Sequence, residues 1–173
     1  MAMKKQILMF VIVFNSLITS YAQNNPVPEY LENNTFSKEL LSFKMTNLEG
    51  KVVSLGEVLE LHKGKKVVID FWASWCRDCI LDVPAAKKLK RKTINTDYVY
   101  ISLDKDIERW KRAITYWKIK GDHYYIKEGW ENELSKYVDL DWIPRYIVLD
   151  EAGVIKLPKA LKISDKEIKE IVD

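Results

Sequence analysis

The sequence predicts an α/β fold, a central mixed sheet flanked by helices. Three observations lead there. Strand-like apolar runs alternate with helical patterns along most of the chain, which calls for parallel strands with helices on the faces of the sheet. Lys66–Trp72 is apolar almost throughout, as a strand buried on both faces is. Two turn-separated strand pairs, one early and one late, add antiparallel strands.

A length of 173 residues suits one domain with a sizeable core. Residues 1–22 are set apart from it. Lys4 and Lys5 precede the apolar run Ile7–Phe14, and Ser20-Tyr21-Ala22 puts small residues at the −3 and −1 positions of a cleavage site. That is a secretory signal peptide. Asn15 and Ser16 interrupt the run, which is short against the roughly 20 apolar residues of a membrane span; retention as an anchor is the alternative. Without residues 1–22 the chain keeps 26 basic and 25 acidic residues, a net charge of +1. This gives no electrostatic basis for nucleic-acid binding. The densest basic run, Lys87-Lys88-Leu89-Lys90-Arg91-Lys92, reads as a solvated helix end, where cations suit the dipole.

Residues 23–34, polar with Pro26 and Pro28, read as a linker, and 35–173 as the folded domain. Phe43–Thr46 and Lys51–Val53 form a hairpin around Asn47-Leu48-Glu49-Gly50. Ser54 and Glu57 form a capping box for a short helix that His62-Lys63-Gly64 closes. After the strand Lys66–Trp72, a helix runs from Cys76 to about Lys92, with Pro84 expected to kink it. Tyr98–Leu103 is the next strand. Asp104 or Asp106 caps a helix whose Ile107, Trp110, Ile114 and Trp117 make a core stripe, ended by Lys120-Gly121-Asp122. A short strand, His123–Ile126, and a short helix, Glu131–Val138, follow. Tyr146–Leu149 is a strand, turned by Glu151-Ala152-Gly153 into the antiparallel Val154–Leu157. A second capping box, Ser164 with Glu167, and a staple of Ile163 on Ile168 open the last helix.

Both cysteines, Cys76 and Cys79, lie where the buried strand gives way to a helix. An exported chain sits where disulfides persist, and a bridge over so short a loop constrains the unfolded chain little. Such a bridge is reactive rather than structural. At the helix start Cys76 meets unpaired backbone N–H groups and the positive end of the dipole, which favour the nucleophilic thiolate. Cys76 is the attacking residue. Cys79, one turn further and more buried, resolves the mixed disulfide. The competing use of a Cys-x-x-Cys is half a zinc site. Zinc wants four ligands, and His62, His123 and the methionines offer no second cysteine pair. Each histidine is expected at a surface or loop, and no metal is assigned.

Residues 67–84, Val-Val-Ile-Asp-Phe-Trp-Ala-Ser-Trp-Cys-Arg-Asp-Cys-Ile-Leu-Asp-Val-Pro, resemble the active-site segment of the thioredoxin superfamily. Ile143-Pro144 resembles the cis-proline loop of that family. Residues 47–55 and the strand–helix insert before the proline are similar to the exported TlpA/ResA branch. The resemblance covers about residues 40–172. It implies a thioredoxin-like fold with Pro144 cis and facing the disulfide, leaving the Ile143 backbone free to pair with an extended substrate. Trp75, with Trp72, walls the disulfide and contributes to substrate binding.

Two departures from the family pattern concern charge. Asp78 replaces the common proline before the second cysteine and disfavours a thiolate at Cys76, while Arg77 favours it. Arg145 follows Pro144 in place of threonine and is expected to bring a second positive charge to the rim. Two carboxylates are candidates for moving the Cys79 proton. Asp70 interrupts a buried strand, where a charge is costly, and thioredoxins carry an aspartate there. Asp82, three residues after Cys79, holds the position where the TlpA/ResA branch carries glutamate. Asp70 is preferred.

The resemblance implies a thiol–disulfide oxidoreductase of the periplasm or cell envelope. Substrate protein thiols and disulfides are its partners, and the Cys76–Cys79 disulfide serves in place of any metal, flavin or nucleotide cofactor. It implies a reductant, monomeric, recharged by a membrane electron donor, in some members for cytochrome c biogenesis. The residues themselves leave the direction open. The alternatives are a copper-handling protein and a non-enzymatic binding module of the same fold.

Overall fold

The computed structural model describes residues 34–173. The predicted signal peptide and all of the linker but Asn34 lie outside the described residues. In chain order the elements are α1 (Lys38–Leu41), β1 (Lys44–Asn47), β2 (Val52–Ser54), α2 (Leu55–Leu61), β3 (Lys66–Trp72), α3 (Arg77–Lys90), β4 (Thr96–Ser102), α4 (Ile107–Trp117), β5 (Asp122–Tyr125), α5 (Glu133–Tyr137), β6 (Arg145–Leu149), β7 (Ile155–Ala160) and α6 (Lys166–Val172).

The strands form one mixed sheet in the order β2-β1-β5-β4-β3-β6-β7. β3, β4 and β5 are parallel; β6 and β7 on one side and β1 and β2 on the other are antiparallel additions. The expected hairpin and the expected insert strand meet here, because β1 of the hairpin pairs with β5 of the insert. Every residue of β3 after Lys66 is buried, as is every residue of β6, which matches the apolar runs that predicted them. Pro158 lies in β7, an edge strand where a missing N–H costs no ladder bond.

Local signals decide several boundaries. The capping box of α2 is formed, with the Glu57 amide donating to Ser54 Oγ at 3.2 Å and the Ser54 amide to Glu57 Oε2 at 2.7 Å. Asp106, of the two candidate caps, opens α4, accepting from the amides of Glu108 and Arg109. Lys118 ends that helix in the left-handed region, at φ 50°. Gly121 follows at φ 149°, and a Cβ there would stand 2.6 Å from both the Tyr100 ring and the Tyr98 carbonyl. No side chain fits that position.

Three expectations need correction. The Ser164–Glu167 capping box is not formed: α6 starts one residue later, and the Asp165 carboxylate turns back to accept from the Lys162 amide. Trp117 leaves the α4 stripe, at 38% exposed, while Trp110 and Ile114 are buried as expected. Both histidines are buried; His62 lies in the turn that closes α2, a loop position as expected, whereas His123 lies in β5 and departs from the expectation. His62 Nδ1 lies 2.9 Å from Asp97 Oδ2, and the His123 ring stacks on Tyr100. Burial pushes the His123 pKa down to about 4, so the ring is neutral.

Candidate active site

Sequence position alone puts Cys76 after a strand; a buried carboxylate fixes how it gets there. β3 ends at Trp72, whose carbonyl accepts from the Leu103 amide at 2.9 Å. The chain then turns through Ala73-Ser74-Trp75. Asp104, 1% exposed, holds that turn by accepting from the Ser74 amide at 2.9 Å and the Ser74 hydroxyl at 2.6 Å. A third bond comes from the Ser102 hydroxyl at 2.8 Å. The loop is thereby tied to the end of β4.

Cys76 is the N-cap of α3, and its Sγ accepts from the Cys79 amide at 3.1 Å. The two sulfurs are bonded to each other. An N-cap sulfur with an amide aimed at it stands where a thiolate is favoured once the bond is reduced. The Ile143–Pro144 peptide is cis, and the Ile143 carbonyl lies 3.6 Å from Cys76 Sγ. Both cysteines are buried to nearly the same degree, 7% and 5% exposed, so exposure does not separate them. What they face does. Cys76 lines a groove of about 260 Å³ with Trp75, Trp130, Trp142 and Ile143. Cys79 lines a different cavity, of about 350 Å³, with Asp70, Trp72, Tyr100 and Tyr146.

Asp70 lines the second cavity. It is in register with Tyr100 on β4 and Tyr146 on β6, so it stands between two tyrosines in the middle of the sheet. Its Oδ1 is buried without a protein hydrogen-bond partner among the described residues. Burial, and then the Asp82 charge, raise its pKa well above the ordinary carboxylate value. Asp82, half-buried on α3, has a different setting. Its Oδ2 accepts from the Tyr146 hydroxyl at 2.9 Å and the Ile163 amide at 2.7 Å. One oxygen of Asp82 is thus committed to joining α3 to the segment after β7.

The charged positions divide. Arg77 and Asp78 are exposed and line the Cys76 groove. The expected rim charge at Arg145 is a correction. Its side chain is fully buried, donating to the carbonyls of Val138 and Asp139 and pairing with Asp141. Adjacent residues of a strand face opposite sides of the sheet; Tyr146 faces the Asp70 cavity, and Arg145 does not. The basic run of α3 is also less free than a solvated end. Lys87 Nζ and Lys90 Nζ donate to the carbonyls of Trp117 and Lys120, crossing from α3 to the end of α4 and to the α4–β5 connection.

Sequence reasoning missed Asp104, Tyr100, Tyr146, Trp130 and Trp142. The tyrosines were detectable in principle, since strands predicted on either side of β3 put residues beside Asp70. The other three are brought in by loop folding, and no sequence pattern marks them.

Comparison with known proteins agrees with this geometry. The Redoxin family matches residues 23–170. Thiol-disulfide oxidoreductase ResA of Bacillus cereus is 30% identical over 107 residues, 60% of this chain and 60% of that protein. Other ResA proteins match over 41% of their length, so the matched stretches span less than two thirds of these relatives. Thiol:disulfide interchange protein DsbE of Yersinia pestis is 25% identical over 92% of this chain and 81% of its own. A solved thiol-disulfide oxidoreductase from Bacteroides fragilis superposes with a TM-score of 0.63 at 26% identity, covering 74% of this chain and 92% of the other. The chain belongs to the Redoxin family, as a ResA-like member of the thioredoxin superfamily.

Proposed function

We propose that the protein is an exported thiol–disulfide oxidoreductase that reduces disulfides of substrate proteins in the cell envelope. The observation that carries this reading is the Cys76–Cys79 pair at the start of α3, with Cys76 Sγ at 3.1 Å from the Cys79 amide and 3.6 Å from the Ile143 carbonyl. In the reduced protein the Cys76 thiolate attacks a substrate disulfide. A Cys76–substrate disulfide forms, and the other substrate sulfur leaves as a thiolate. Cys79 then loses its proton and attacks Cys76 Sγ, releasing the second substrate thiolate and closing the Cys76–Cys79 bond. Two electrons pass to the substrate.

Asp70 is the proton acceptor for Cys79 in this scheme. It lines the same cavity as Cys79, and its raised pKa makes it a better base than an ordinary carboxylate. Asp82 acts through Asp70, by its charge, rather than on the thiol. Ile143 and Pro144 hold the substrate backbone, Trp75 flanks it, and Arg77 and Asp78 set the balance of thiol and thiolate at Cys76. The scheme needs no metal, flavin or nucleotide. A membrane electron donor restores the dithiol. Export rests on Lys4, Lys5, the apolar run and Ala22.

The test is insulin reduction by the full chain with a dithiol as donor. Activity in the wild type and its loss in Cys76→Ser support the reading. Cys79→Ala should accumulate a Cys76 mixed disulfide visible by mass spectrometry. An inactive wild type, or one equally active without Cys76, overturns it.

A further inference from the structure

Cys76 and Cys79 line separate cavities: one tryptophan, Trp72, lies on the Cys79 side, and three, Trp75, Trp130 and Trp142, lie on the Cys76 side. Trp75 and Trp142 are 51% and 57% exposed, and Trp130 is partly buried between them and the core. The three come from separate stretches: the turn after β3, the connection between β5 and α5, and the connection between α5 and β6. Large exposed indoles converging on one groove are costly to leave in water unless something seats there.

Two of the three stretches have a braced backbone. Asn132, the N-cap of α5, donates from Nδ2 to the Gly129 carbonyl at 2.7 Å, and its amide donates to the Trp130 carbonyl at 3.1 Å. This pins the Trp130 backbone. The stretch carrying Trp142 is braced by Arg145, whose buried guanidinium holds the carbonyls of Val138 and Asp139 together with Asp141. A backbone braced before binding loses less entropy on contact than a loose one.

The occupant follows from the lining. Cys76 forms part of the wall, so whatever sits in the groove lies against the residue assigned above as the attacking one. Among the described residues that line the groove, the charged ones are Arg77 and Asp78, adjacent and opposite, and a charged ligand gains nothing from their sum. The Ile143 carbonyl lies outside β6 and beside the sulfur, where an extended backbone can run alongside. We propose that Trp130 and Trp142, with Trp75, select the substrate: an extended polypeptide segment whose disulfide-bonded cysteine is next to an aromatic or large aliphatic side chain. The inference rests on the exchange reaction proposed above and adds the substrate class to it.

The experiment uses the reduced full chain and two synthetic peptides of equal length and charge. Each carries one cysteine in a mixed disulfide with thionitrobenzoate, preceded by Trp in one peptide and Ser in the other. The absorbance of released thionitrobenzoate reports the rate. The wild type should react with the Trp peptide roughly tenfold faster. Trp130→Ala and Trp142→Ala should bring the ratio of the two rates towards one, Trp142→Phe should retain most of it, and Trp117→Ala, at a distant exposed indole, should leave it unchanged. Because the readout is a ratio within each folded variant, loss of active protein does not mimic the effect. Equal rates for the two peptides in the wild type, or a ratio kept by both alanine variants, overturns the inference. Hydroxyethyl disulfide separates the two levels: a wild type that fails to reduce it overturns the exchange reaction itself, whereas reduction without peptide preference overturns the substrate class alone.

Discussion

Asp104 holds Ser74 by two bonds, from the amide at 2.9 Å and from the hydroxyl at 2.6 Å. The pair lies 30 residues apart in sequence and sets the path of the chain two residues before Cys76. Asp104→Ala should lower stability by about 1–3 kcal/mol, because it strips a part-buried amide and two hydroxyls, one of them buried, of their acceptor. It should also slow insulin reduction roughly tenfold by letting Cys76 wander from the Ile143 carbonyl. Ser74→Ala keeps the amide bond and should cost less on both counts. Urea melts and insulin turbidity check both.

Asp70→Asn should slow the second step of exchange, release of substrate from Cys76, roughly a hundredfold, with the first step little changed. Stopped-flow measurement of the two phases checks this, and unchanged rates would remove Asp70 from the reaction. Stability should move the other way. The folded pKa lies well above 3.8, so the folded protein binds the extra proton, and stability falls as pH rises from about 4 towards the raised folded value. The asparagine variant lacks that penalty. Its melting temperature should exceed that of the wild type by an amount that grows over that range.

His123 predicts loss of stability in acid. Its folded pKa, about 4, lies below the ordinary 6.5 because burial disfavours the charged ring. The unfolded chain therefore binds a proton first. Stability is fully present above about pH 6.5 and is lost as pH falls towards 4, by on the order of 3 kcal/mol across the window. His123→Phe, able to stack on Tyr100 in the same place, should flatten this part of the pH–stability curve.

Arg145→Met should destabilise the fold by about 2–4 kcal/mol, since the carbonyl of Val138 loses a buried donor and that of Asp139 a second one. The reduction potential should stay near that of the wild type, because the guanidinium is held among the backbone of residues 138–141 rather than at the sulfurs. A glutathione titration of both proteins checks the second part, and a shift of more than about 30 mV would return Arg145 to the rim.

The parts of the fold legible in the sequence were those with a local cause. The β3 run and the Ser54–Glu57 box are short-range patterns, and each forms as read; of the two cap candidates for α4, Asp106 is the one that caps. The placement of Cys76 at a helix start holds too. Arg145 and His62 show the other case. Their burial depends on partners at Val138, Asp139 and Asp97 that only the folded chain brings near, and a charged side chain in a sequence carries no mark of such partners. Ser164 yields the cap position to Asp165, whose carboxylate accepts from the Lys162 amide rather than from the helix; two adjacent residues suit the role, and the local pattern does not choose between them. Asp104 was read as a cap candidate on local grounds; its bond to Ser74 is long-range.

Asp82 makes the far end of the chain part of the redox centre's electrostatics. The carboxylate that anchors the Ile163 amide also raises the proton affinity of Asp70. The same Oδ2 accepts from the Tyr146 hydroxyl, so one carboxylate joins α3, β6 and the approach to the last helix. The wall of the Cys79 cavity is thereby stitched to a part of the chain that does not line it.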